Sequence, residues 1–110
     1  MQPLTRPTAE EYASWFKVLA DATRIQIVSL LARCGRKMTV GEIVELMGVG
    51  QSTVSQHLKQ LAEVGFVLVE RVGTASHYRI NEECVRAFPS AADVVMGQAA
   101  SVPPGKECTR

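Results

Sequence analysis

The sequence predicts a mainly α-helical domain carrying one β-hairpin, in the order α-α-α-α-β-β-α. Three observations carry that prediction. Apolar residues recur at helical spacing through most of the first 64 positions, and polar capping residues and glycines divide that stretch into four helices. After Gly65 the period changes to the alternating segments "FVLVERV" and "ASHYRIN", separated by Gly73 and Thr74, which reads as a hairpin. A length of 110 residues is expected to give one domain, near the size at which burial against a second copy adds stability.

Residues 1–7, with Pro3 and Pro7, are expected to form a loose arm. The structured domain is then expected over 8–98. Thr8 and Glu11 have the spacing of a capping box for a first helix striped by Tyr12, Trp15, Phe16 and Leu19. Asp21 is a good N-cap for a second helix, in which Ile25, Ile27, Val28, Leu30 and Leu31 are too many for one narrow stripe, so a buried central helix is expected. It should stop near Cys34, with Gly35 in the left-handed conformation. Thr39 and Glu42 repeat the capping-box spacing ahead of "GEIVELM", which Gly48 ends. A fourth helix follows after only a few residues, and Gly65 closes it. Asn81 can cap a last helix, "EECVRAF", which Pro89 should break or kink before "SAADVVMGQAA" resumes it. Residues 99–110 offer little to bury and are expected to be a flexible tail.

Composition narrows the function classes. Hydrophobic residues make up 46% and charged residues 21%, and no run of about 18 apolar residues could span a membrane, so no membrane partner is expected. The first eleven residues lack a signal-peptide core, which predicts a cytoplasmic protein. The formal net charge of +1 means that any nucleic-acid surface must come from the placement of charge. Three widely spaced cysteines, an odd number, argue against a secreted disulfide framework.

The segment "GVGQSTVSQHLKQLAEVGFV" carries the functional signal. Val54, Leu58 and Leu61 form its apolar side, and the remainder is crowded with short hydrogen-bonding residues in place of the Glu–Lys pairs of a solvated face. Two helices joined by a short turn, the second with such a face, make a helix-turn-helix; a hairpin directly after it is a wing. Serine, threonine, glutamine and lysine are residue types that contact phosphates and base edges, and a helix fits the major groove. Gln51, Ser52, Thr53, Ser55 and Gln56 are therefore expected to lead in reading DNA, Gln56 pairing with an adenine edge. His57 and Lys59 are assigned to phosphates, as is the hydroxyl of Thr39. Arg71, Thr74, His77 and Arg79 of the wing are expected on the backbone or the neighbouring minor groove. A protein-docking winged helix would instead carry apolar residues on this outer face. An enzyme would need a nucleophile grouped with a base, which the sequence does not suggest.

The segments "FKVLADATRIQIVSLL" and "MTVGEIVELMGVGQSTVSQHLKQLAEVGFVLVERVGTASHYRI" resemble the ArsR/SmtB family of bacterial winged-helix repressors over about residues 12–97. Ala22 stands where the family's Leu-Ala-Asp-Pro-Thr-Arg stretch has proline. The resemblance implies a homodimer held by the first and last helices, bound to a palindromic operator on double-stranded DNA and released by an inducer. It also implies where a sensor would lie. The Cys-Val-Cys of the arsenic type is replaced by Thr39, Val40 and Gly41; the last helix has Glu82, Glu83 and Asp93 but no histidine for a zinc site. Cys34, Cys84 and Cys108 are the remaining soft donors, suited to As(III), Sb(III) or mercury. An extended tail reaches far enough to fold Cys108 back towards Cys84, about 30 Å. Arg33, Arg36 and Lys37 would favour a Cys34 thiolate if it is exposed. Three readings stay open: thiol-held metalloid or metal, oxidant sensing, and a non-metal ligand with cysteines that only fill space.

Overall fold

The computed structural model describes residues 3–97. The elements are α1 (Arg6–Val18), α2 (Ala22–Cys34), β1 (Met38–Thr39), α3 (Val40–Met47), α4 (Gln51–Glu63), β2 (Val67–Val72), β3 (Ala75–Ile80) and α5 (Glu82–Val95). The mainly α fold with a hairpin wing is as expected, with one strand added. The tail expected over 99–110, including Cys108, lies outside the described residues.

Local chemistry explains most helix ends. The Asp21 carboxylate accepts the Arg24 N–H at 3.1 Å to open α2, and Gly35 closes it at φ 69°. Thr39 and Glu42 form the reciprocal box that opens α3: the Thr39 hydroxyl accepts the Glu42 N–H at 3.2 Å and the Glu42 carboxylate accepts the Thr39 N–H at 2.9 Å. Helix α1 differs from expectation. Its N-cap is Thr5, whose hydroxyl accepts the Thr8 N–H at 3.4 Å, so Arg6 and Pro7 belong to the helix and Thr8 lies inside its first turn. Pro7 explains the earlier start: its fixed φ suits the first turn, where a missing N–H costs nothing.

The core gathers Ile27 and Leu31 of α2, Met38, Ile43 of α3, Val54, Leu58 and Leu61 of α4, and Phe66, Val67 and Ile80 at the base of the wing. Helix α2 is less enclosed than expected, since Val28 and Leu30 are half-buried and Ile25 is 50% exposed. Met38 and Thr39 pair with Tyr78 and His77, which makes the wing a three-stranded antiparallel sheet ordered β1-β3-β2. Asn81 stitches helix and sheet: its side-chain amide donates to the Gly65 carbonyl at 2.8 Å, its N–H to Phe66 at 2.9 Å, and its side-chain oxygen caps α5.

Helix α5 runs through Pro89 without the expected interruption. Cys84, Phe88 and Ala91 fall at i, i+4, i+7 and turn to one side. Cys84 and Ala91 are buried, and the Phe88 ring meets Phe16 at 5.0 Å and Phe66 at 5.7 Å. That apolar contact offsets the backbone bond that proline removes. Elsewhere α1 and α5 leave apolar groups in solvent: Leu4, Phe16, Val94, Val95 and Met96 are all more than a third exposed.

Candidate nucleic-acid interface

Helix α4 is held from below and free above. Val54, Leu58 and Leu61 are fully buried, which aims Ser52, Gln56 and Lys59 at solvent along the opposite side. Gln51 and Thr53 are exposed beside them, and Ser55 is half-buried on the flank nearest the wing. The turn from α3 is Gly48-Val49-Gly50, with Gly48 in the left-handed region at φ 70°. Gly50 is the N-cap of α4 and supplies no side-chain acceptor. The first N–H groups of the helix are thus left pointing outward with their positive dipole end.

Strand register sorts the wing residues into two faces. Val69 lies opposite Tyr78 and Arg71 opposite Ser76, whereas Leu68 lies opposite Arg79 and Glu70 opposite His77. Val69 and Tyr78 line a cleft with Ser55, Lys59, Ala62 and Glu63 of α4. By alternation, Arg71 shares that face further towards the tip, where its guanidinium donates to Ser76 Oγ at 3.4 Å. Thr74 is exposed in the two-residue turn after Gly73.

His77 and Arg79 occupy the other face, together with Thr39. Carboxylates surround them there. Glu70 accepts a hydrogen bond from Lys37 Nζ at 2.8 Å, and this contact, with the charges of Lys37, His77 and Arg79, holds its pKa below the ordinary glutamate value. Glu42 is lowered chiefly by the Thr39 N–H, then by Arg36 and His77. The structure therefore does not bring His77 and Arg79 together with the α4 stripe. Thr39, expected on a phosphate, accepts the Glu42 N–H with its hydroxyl oxygen in the α3 cap, which leaves its O–H free to donate.

His57 also departs from its expected place. It is half-buried on the flank of α4 nearest α2, and its Nδ1 lies 3.1 Å from Arg24 Nη1. The same guanidinium donates to Gln60 Oε1 and to the Val18 carbonyl at the end of α1. Arg24 ends the Leu-Ala-Asp-Ala-Thr-Arg stretch, a first signal, and has no role among the sequence expectations; a second signal is a cation in the first turn of a helix, where the dipole disfavours one. The wing's two faces, by contrast, follow from a two-residue turn and strict alternation.

The thiols do not assemble a site among the described residues. Cys34 is half-buried and Cys84 is buried, and burial pushes the Cys84 thiol pKa up, away from the thiolate that binds soft ions. No group of three His, Cys, Asp or Glu side chains among those residues could hold a metal ion. No helix there is long and apolar enough to cross a membrane.

Comparison with known proteins places this geometry. The sequence profile of the bacterial regulatory proteins of the arsR family matches residues 21–68. The HTH-type transcriptional regulator KmtR of Mycobacterium tuberculosis is 44% identical over 71 residues, 64% of this chain and 53% of that protein. The chain thus spans about half the length of that relative. The arsenical resistance operon repressor of Bacillus subtilis is 38% identical over 80 residues, 73% of this chain and 75% of that one. A solution structure of a homodimeric winged helix-turn-helix DNA-binding domain from Mycobacterium bovis superimposes with a TM-score of 0.67 at 32% identity, covering 88% of this chain and 91% of the other. The uncapped recognition helix, its polar stripe and the wing beside it are those of a winged helix-turn-helix regulator, and the chain belongs to the bacterial ArsR family.

Proposed function

We propose that the chain is a homodimeric transcriptional repressor that binds a two-fold symmetric operator through the outer stripe of α4. The observation that carries this reading is the exposed row Ser52, Gln56 and Lys59 on a helix whose other side is fully buried and whose N-terminus is uncapped. Gln56 can accept from and donate to one adenine edge at once. Gln51, Ser52, Thr53 and Ser55 flank it at the end of the helix that enters the groove first. The free N–H groups of α4, with Lys59, Arg71 and Thr74, suit phosphates. His77 and Arg79, facing carboxylates on the other side of the wing, are left out of this contact set. The exposed apolar groups of α1 and α5 supply a surface for a second copy, and the homodimeric Mycobacterium bovis relative supports a dimer. Two copies then read half-sites about one helical turn apart.

The expected inducer response is release of the operator. The Bacillus subtilis relative is an arsenical resistance repressor, which makes arsenite the first compound to try. Of the three cysteines, Cys34 and Cys84 lie among the described residues, where no group of three donor side chains could hold a metal ion.

Fluorescence anisotropy with a duplex from just upstream of the coding region, against random duplex at moderate salt, tests the reading. Gln56→Ala should cost about tenfold or more on the upstream duplex alone. Arg71→Ala should weaken both duplexes and reduce the salt slope by about one, whereas Arg79→Ala should do neither. Equal affinity of the unaltered protein for both duplexes would overturn the proposal. Release by arsenite that Cys34→Ser or Cys84→Ser abolishes would bring the thiols into the function.

A further inference from the structure

We infer that Arg24 is a positioning residue for operator recognition: it sets the rotation and height of the recognition helix without itself touching DNA. The inference rests on the DNA-binding reading above. The apolar side of α4 cannot provide this constraint alone. Contacts of Val54, Leu58 and Leu61 are non-directional, and a helix can turn by a few degrees or slide by a fraction of an ångström on such a bed while keeping its burial. Hydrogen bonds are directional. Those on the flank of α4 come from one guanidinium, which reaches His57 Nδ1 at 3.1 Å and the Gln60 side-chain oxygen while also holding the last carbonyl of α1.

The anchoring at the other end is equally specific. The backbone N–H of Arg24 donates to Asp21 at 3.1 Å in the α2 cap, so the main chain of Arg24 is fixed while its side chain spans to α4. His57 and Gln60 are at i and i+3, which places them on one flank within reach of the same nitrogen, Nη1, while Nε of the same planar group faces the Val18 carbonyl. A guanidinium only donates, so the contact is a hydrogen bond in the tautomer whose Nδ1 accepts. Gln56 is the neighbour of His57 and lies one turn before Gln60. A displacement of α4 that broke the clamp would therefore move Gln56 off its base edge.

Lysine at position 24 keeps the charge, but its single nitrogen cannot serve α1 and α4 at once as Nε and Nη1 do, which separates positioning from a direct phosphate contact. The upstream and random duplexes serve as probes, with thermal melting as the check on folding. Arg24→Lys should lose about tenfold in preference for the upstream duplex, the scale of one displaced base contact. Its affinity for random duplex and its salt slope should stay within about twofold, since no phosphate contact is removed. Gln60→Ala and His57→Ala should each reduce the preference in the unaltered background and add nothing in the Arg24→Lys background.

Retention of full preference by Arg24→Lys would overturn the inference, as would an equal loss on both duplexes or losses that multiply in the double variants. If Arg24→Lys does not fold, Gln60→Ala and His57→Ala decide, and an unchanged preference in both overturns it. An unaltered protein that prefers neither duplex would instead sink the DNA-binding reading itself, a result distinct from all of these.

Discussion

The half of the molecule built from α3, α4 and the wing base is closed within one chain; the half built from α1 and α5 is not. Ile43, Val54, Leu58, Leu61, Phe66 and Val67 are essentially inaccessible, and the outer stripe of α4 above them is polar; the most exposed apolar residues of this half, Leu46, Val69 and Val72, lie apart, one on α3 and two on opposite faces of β2. On α1 and α5 the aromatic contacts Tyr12–Trp15 at 5.5 Å and Phe16–Phe88 at 5.0 Å are only part-buried, and the row ends in Val94, Val95 and Met96. A surface intended for DNA must be polar and rigid before DNA arrives, so its supporting core is finished internally. On the reading proposed above, the α1 and α5 surface is left apolar until a second copy covers it.

The largest effect should come from the finished half. Phe66 is 2% exposed and joins α4, the wing and α5 through Phe88. Phe66→Ala should cost about 3–5 kcal/mol, the range for emptying a buried phenylalanine site, against a total stability on the order of 5–15 kcal/mol. Urea unfolding should show it at every protein concentration. A loss below about 1 kcal/mol would mean that the core is not organised around this ring.

The unfinished half should respond differently. Met96 is 75% exposed, so Met96→Glu should leave the single chain folded while placing a charge where a second copy would bury it. Sedimentation equilibrium should show the dimer constant weakened by about 100-fold or more, with the helical circular dichroism signal retained. An unaltered dimer would move the interface away from this face and break the comparison.

Local chemistry was legible in the sequence, and contacts across the chain were not. The Thr39–Glu42 box, the glycines after α2 and α3, and the hairpin turn each depend on residues within four positions of one another, and each was found where the spacing predicts. The start of α1 was misplaced because Thr5 and Thr8 are both good caps and Pro7, which decides between them, was assigned to an arm. Strand β1 is only two residues long, and what makes it a strand is pairing with Tyr78 and His77, far along the chain. Arg24 was missed for the same reason: nothing near position 24 reveals that positions 57 and 60 fold against it. Membership of one hairpin groups His77 and Arg79 with Arg71, and the pleat places them on opposite faces of it.

The smallest effect tests that separation. Glu70 and Lys37 are about half exposed, so their 2.8 Å ion pair is screened and weak. The Glu70 pKa in the folded chain is depressed, chiefly by the Lys37 hydrogen bond, so its stabilisation is complete above the unfolded value near 4.5 and is lost as the pH falls through the folded value. Glu70→Gln should therefore lower the melting temperature by about a degree at pH 7, with the difference from the unaltered protein vanishing in acid below the folded pKa. The same substitution removes one negative charge from the face that holds His77 and Arg79. If that face lay against phosphates, Glu70→Gln would tighten binding to every duplex and steepen the salt dependence by about one. With the back of the wing turned away from DNA, affinity and slope should stay within about twofold, while Arg71→Ala on the opposite face flattens the slope.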